Sequence, residues 1–182
     1  MLARCGHQAW ERARLGRVKQ PRLHHLVDVT TPETARRSVE RNVRQPNAAP
    51  EALVAAGNMA MLQGYPELAL EGFRRVLAVG ADDAEAQLMA HLGEGTALHA
   101  LRDYPAARLA FEQTVSVADQ HASTVVRGFA LAWLADCQAA LGDRASAEES
   151  LASASACADV VGNEELEQIT LAIRTKLGAQ PS

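Results

Sequence analysis

Aromatic side chains are scarce, with two Trp, two Tyr and three Phe in 182 residues, and the apolar share comes largely from Ala and Leu. That balance disfavours a β-sandwich and suits closely packed helices. Cysteine is nearly absent too. Cys5, Cys137 and Cys157 are odd in number and lack CxxC spacing, so neither a disulfide framework nor a zinc site is indicated, and reduced thiols in the cytoplasm are the natural reading. No stretch approaches the roughly 18 to 20 apolar residues of a membrane-spanning helix, and no membrane association is expected. The N-terminus, opening Met1-Leu2-Ala3-Arg4-Cys5, has no apolar run of signal-peptide length, so export is not expected. A Gly-rich phosphate loop, a nucleophile elbow and HExxH are all missing, which removes the usual signatures of catalysis and cofactor binding. The adjacent carboxylates Asp82-Asp83, Glu148-Glu149 and Glu164-Glu165 do not replace them, because neighbours on a helix point apart.

What is present is 48% hydrophobic residues, enough for one ordinary core, and a charge asymmetry hidden by the net −4. Between Met1 and Pro46 stand ten Arg and Lys against four Asp and Glu, a balance of +6 that leaves −10 for the remainder. A basic arm on an acidic body can fold back on it or find an anion elsewhere.

Within that arm, Thr30-Thr31-Pro32-Glu33 is a helix start, with Thr30 as cap and Pro32 in the first turn. The helix is expected to run to about Gln45. Its apolar positions Ala35, Val39 and Val43 form a narrow stripe among Arg36, Arg37, Arg41 and Arg44, which predicts weak docking or none. Gln45-Pro46-Asn47-Ala48-Ala49-Pro50 then breaks the periodicity as a linker. The expected division is a basic arm over 1–49 and a repeat domain over 50–182.

From Pro50 onward the chain repeats itself. Gly57-Asn58-Met59-Ala60, Gly95-Thr96-Ala97-Leu98 and Ala135-Asp136-Cys137-Gln138 each open on a small residue, at spacings of 38 and then 40. The turns Gln63-Gly64-Tyr65-Pro66, Leu101-Arg102-Asp103-Tyr104-Pro105 and Leu141-Gly142-Asp143-Arg144 keep step, followed by Ala69, Ala107 and Ala147, then Phe73, Phe111 and Leu151. The pattern predicts helix hairpins over about 50–83, 84–121 and 122–161. A small residue on each first helix and an Ala early in the second let the backbones approach, and the Phe or Leu one turn later fills the gap. Leu166, Ile169, Ile173 and Leu177 make one stripe of a final capping helix over 163–178.

These residues resemble the tetratricopeptide repeat, over roughly Pro50 to Val161. Arg102 stands where the second turn would carry Gly, and the spacing exceeds the common 34 residues. Long repeats of this kind, rich in Ala and Arg, are similar to the C-terminal arrays of large bacterial transcription regulators. The resemblance implies an all-α, right-handed superhelical stack that is not an enzyme, uses no cofactor and binds a protein or peptide. Self-association is compatible with it, and nucleic acid is expected only through the basic arm.

The resemblance also implies a concave groove lined by the first helices. The matching positions are Glu51, Val54, Asn58 and Met61, then Met89, Leu92, Thr96 and His99, then Phe129, Ala132, Asp136 and Ala139. Met89, Leu92 and Phe129 read equally well as core between repeats. Some co-chaperone members of the family clamp a terminal carboxylate with Lys, Arg and Asn. Here only Asn58 matches, and Val54, Gly93, Phe129 and Trp133 offer no cation, so an apolar or amphipathic helix suits the groove better. His91 and His99 stand too far apart for a shared metal without further ligands, and Cys5-Gly6-His7 and His24-His25 read as ordinary surface sequence. The expected function is a non-catalytic interaction module. The alternative is a sensor portion of a transcription regulator.

Overall fold

The computed structural model describes residues 32–80 and 83–179. The described residues from Ala35 onward belong to one compact unit. The described residues form eight helices and no strand: α1 Pro32–Val43, α2 Pro50–Leu62, α3 Pro66–Val79, α4 Ala84–Ala100, α5 Tyr104–Gln120, α6 Thr124–Ala140, α7 Arg144–Val161 and α8 Glu164–Ala179. The all-α class is as expected, and consecutive helices pack as the pairs α2–α3, α4–α5 and α6–α7. Thr30, the expected cap of α1, lies outside the described residues, as do Cys5, His24 and His25.

The hairpin turns share one hydrogen-bonding scheme. In the first, Gly64 N–H donates to Met61 O at 3.0 Å and Tyr65 N–H to Ala60 O at 2.8 Å. In the second, Arg102 N–H donates to His99 O and Asp103 N–H to Leu98 O, and in the third Gly142 N–H donates to Ala139 O and Asp143 N–H to Gln138 O. This pairing satisfies the last carbonyls of a helix and requires a left-handed residue just beyond it. Gly64 and Gly142 take φ of 77° and 86°, and Arg102, which departs from the Gly pattern, adopts φ 61° all the same. The turn geometry is therefore kept at a steric cost to Arg102. The next helices start cleanly. Pro66 opens α3 and Pro105 sits in the first turn of α5, while Asp103 and Asp143 accept from the amides of Ala106 and Ser146.

The seams explain the small residues. A Cβ on Gly57 would lie 2.7 Å from the ring of Phe73, and one on Gly93, in the next hairpin, 2.5 Å from the same ring. A Cβ on Gly95 would lie 2.5 Å from the ring of Phe111. Phe73 and Phe111 are both fully buried, so neither ring has room to retreat. The third hairpin solves the same problem with the sizes exchanged: Ala135 has a Cβ, and the plug is the smaller Leu151, both buried in one cluster. Ala69, Ala107 and Ala147 are each 0% exposed, as close-contact positions must be.

One element departs from expectation. Helix α1 was expected to dock weakly on the strength of its narrow stripe, yet Val39 and Val43 are buried in the same cluster as Leu53, Leu68 and Phe73. Polar contacts at its C-terminal end supply what the stripe lacks. Arg75 donates to the carbonyls of Val43 and Gln45, and Arg44 Nε lies 2.9 Å from Glu71 Oε1. At the other end, α8 packs on α6 and α7 through Leu166, Ile173 and Leu177, with Ile169 half-buried. Its outward residues Glu164, Glu165, Gln168 and Arg174 are exposed, as a terminal cap requires.

Two stability tests follow from this packing. Gly to Ala in an exposed helix normally gains about 1 kcal/mol, but Gly95→Ala drives a methyl into the Phe111 ring and reverses that sign, costing about 1–3 kcal/mol. Adding Phe111→Leu, which reproduces the Ala135 and Leu151 pairing, recovers part of the loss. Urea denaturation of the two single variants and the double variant measures the coupling, and strictly additive losses would place the two residues in separate environments. Arg102→Gly removes about 1–2 kcal/mol of left-handed strain and adds about 0.5–1 kcal/mol of backbone entropy cost. The melting temperature is then expected to hold or to rise by up to about 4 °C.

Candidate functional site: the face shared by the first helices

The helices do not contact one another evenly. Besides sequential neighbours, α2 touches α4, α4 touches α6 and α6 touches α8, whereas α3, α5 and α7 do not touch each other among the described residues. The first helices thus form one continuous face, and α8 takes the place of a fourth first helix.

The sequence-predicted groove residues are distributed along that face in three ways. At the α2 and α4 end, Val54 and Met89 line one shallow cleft with Glu51, Asp83, Glu85 and Ala86. Asn58 is exposed nearby, Met61 is half-buried against the N-terminal core cluster, and Ala132, deeper in α6, is fully buried. In the middle, Leu92 and Phe129 are half-buried and packed against the C-terminal cluster, so they serve the core while keeping an open edge. Thr96 is half-buried and its hydroxyl donates to Gly93 O in its own helix at 2.9 Å. Ala139 is half-buried.

At the far end the structure joins His99 and Asp136, which the sequence offered only as separate groove positions. His99 Nε2 lies 2.8 Å from Asp136 Oδ2, and Lys176 Nζ donates to Asp136 Oδ1 at 2.5 Å. The His99 ring meets Tyr104 edge-on at 5.4 Å and Trp133 at 5.1 Å. Asp136 is 4% exposed, so both its oxygens are occupied and it presents no free carboxylate to a partner. The His99 hydrogen bond and then Lys176 hold its carboxyl below the usual range, against the opposing effect of burial. One carboxylate thereby ties together α4, α6 and α8.

No protein-family model matches the chain, and no curated protein matches it significantly.

Lys176, a cation in the last turn of the capping helix, is not among the expected groove positions, yet it reaches Asp136. A signal existed: Thr96, Asp136 and Lys176 are spaced by 40, which marks α8 as a continuation of the first-helix series. His91 takes no part in this cluster, and its pKa is lowered by burial. Among the described residues no three His, Cys, Asp or Glu side chains are grouped to hold a metal ion, and no helix is long and apolar enough to cross a membrane. Cys137 and Cys157 are free and buried, and burial pushes the Cys137 thiol up to about 12, which leaves it unreactive at neutral pH.

The clamp has a pH signature. Because the folded-state pKa of Asp136 is depressed, its contribution is present above the free carboxylate's value of about 3.9 and is lost as pH falls through the lower folded value. Asp136→Asn is therefore expected to cost about 1–3 kcal/mol near neutral pH, with the gap from the parent closing as pH falls from about 5 towards 2. Lys176→Ala should cost less than about 1 kcal/mol, since that side chain is 53% exposed. Urea titrations across this pH range test both, and a parent-to-variant gap independent of pH would remove Asp136 from the acid response.

Proposed function

We propose that the chain is a non-catalytic protein-interaction module of tetratricopeptide-repeat kind, with the face of α2, α4 and α6 as the working surface for a peptide or helix of another protein. The observation that carries this reading is the asymmetry of contacts. The first helices touch one another and the second helices do not, which fits a right-handed superhelix with a concave inner face. Half-buried apolar residues on that face, Met61, Met89, Leu92 and Phe129, keep edges open to a ligand, and side chains of this type anchor helices in grooves. The two buried free thiols suit a reducing cytoplasmic setting.

The competing reading is a bacterial transcription regulator's sensor part, with a basic arm on DNA. It draws less support from α1 than the sequence offered, because Arg44 is taken up by Glu71 and Glu40. Arg36 and Arg41 remain exposed.

Affinity capture from the native cell extract, followed by binding measurements on the recovered partner, separates the two. Asn58→Arg and Leu92→Asp on the first-helix face should weaken the partner at least about tenfold, whereas Leu109→Asp, on exposed α5, should leave it unchanged. Circular dichroism checks that each variant stays folded. Retention of every partner by folded Asn58→Arg and Leu92→Asp variants would show that the groove is not the binding surface. Salt-dependent DNA binding lost on Arg36→Gln and Arg41→Gln would support the regulator instead.

A further inference from the structure

We infer that the cleft between the N-terminal ends of α2 and α4 selects a cationic amphipathic helix of a partner protein, an inference that rests on the interaction-module reading above. The cleft has an apolar floor of Val54, Ala86 and Met89 and an acidic wall of Glu51, Asp83 and Glu85. Its volume, about 240 Å3, is below that of a small-molecule pocket and suits one or two inserted side chains.

Charge decides the class of occupant. Helix α2 has no Lys or Arg in its 13 residues and α4 none in its 17. The remaining carboxylate of α4, Glu94, is already matched by Arg74 at 2.8 Å. Glu51, Asp83 and Glu85 have no such cation among the described residues, and the only hydrogen bond between them is the capping contact from Glu85 N–H to Asp83 Oδ1 at 2.9 Å. Part of their charge answers the two helix N-termini, each worth roughly half a positive charge. Three carboxylates against that leave a local balance of about −2. The second helices carry Arg74, Arg75, Arg108 and Arg144 beside seven Asp and Glu, so what sets the cleft apart is that α2 and α4 hold no cation to neutralise it.

The apolar component extends beyond the cleft. Met59 and Leu62, on the solvent side of α2, are 47% and 83% exposed. From Glu51 to Leu62 the helix rises roughly 16 Å, three turns, which matches a partner helix of about a dozen residues. Such a helix would seat an apolar face along Met89, Val54 and Leu62 and place Lys or Arg against the acidic wall.

The probe is a labelled Leu/Lys helical peptide of about twelve residues, Leu on one face and Lys on the other, compared with Leu/Gln and Leu/Glu peptides of the same pattern by fluorescence polarisation. The Lys peptide should bind at least about tenfold tighter than the Gln peptide at low salt, with the advantage shrinking as salt rises. Combined Glu51→Gln and Glu85→Gln should bring the Lys peptide to the level of the Gln peptide. Combined Glu149→Gln and Glu165→Gln, which remove the same charge elsewhere, should change nothing. Equal binding of the Lys and Gln peptides, or unchanged Lys-peptide binding by the cleft variant, overturns the inference. If the Gln peptide binds as tightly as the Lys peptide and both are lost with Asn58→Arg, the groove reading survives while the cation preference falls. If no peptide binds, the inference falls together with the docking surface.

Discussion

The ring of Phe73 occupies space that a Cβ on either Gly57 or Gly93 would need, and this exclusion sets how closely α2, α3 and α4 approach one another. A helix that could carry Ala at those positions would stand further off and leave the ring unpacked. Phe111 repeats the contact against Gly95, and the third hairpin substitutes Ala135 and Leu151. Because the ring comes from the second helix and the bare backbone from the first, the contact draws first helices inwards. The continuous face of α2, α4 and α6 is a by-product of that packing.

The same packing governs the chemistry of the face. Residues there are divided between core and solvent, which is why Leu92 and Phe129 sit half-buried and why Asp136, one layer deeper, needs two cationic or donor partners to be retained. Charge on α2 and α4 is confined to carboxylates, while the later helices α5 to α8 each hold at least one arginine. The cleft carboxylates Glu51 and Glu85 accordingly have no cation on the helices that carry them.

Much of the architecture could be read from the chain because hairpin packing leaves marks at fixed offsets. Gly57, Gly95 and Ala135, the turn residues and the plugs Phe73, Phe111 and Leu151 were aligned by spacing alone, and the helix bounds follow them. Docking of α1 was not legible. A stripe of two buried valines looks insufficient in isolation, and the cations that complete it, Arg75 and Arg44, act over about thirty residues of separation. The clamp was legible only in part: His99 and Asp136 were marked as groove positions, but a hydrogen bond across helices has no local signature. Arg102 was identified as a departure from the turn pattern, yet only the backbone shows that it accepts the left-handed geometry.

Helix α4 holds two bare positions two residues apart, Gly93 against the ring from α3 and Gly95 against the ring from α5. Two residues of an α-helix are separated by about 200° of rotation, so the rings press on nearly opposite sides of one backbone. In a repeat protein, cooperativity is a matter of nearest-neighbour coupling, and here both couplings of the first half pass through a single helix. Fraying from either end loses one ring contact and leaves the other in place, whereas melting α4 releases both at once. The middle helix is therefore the one element through which both ring contacts pass.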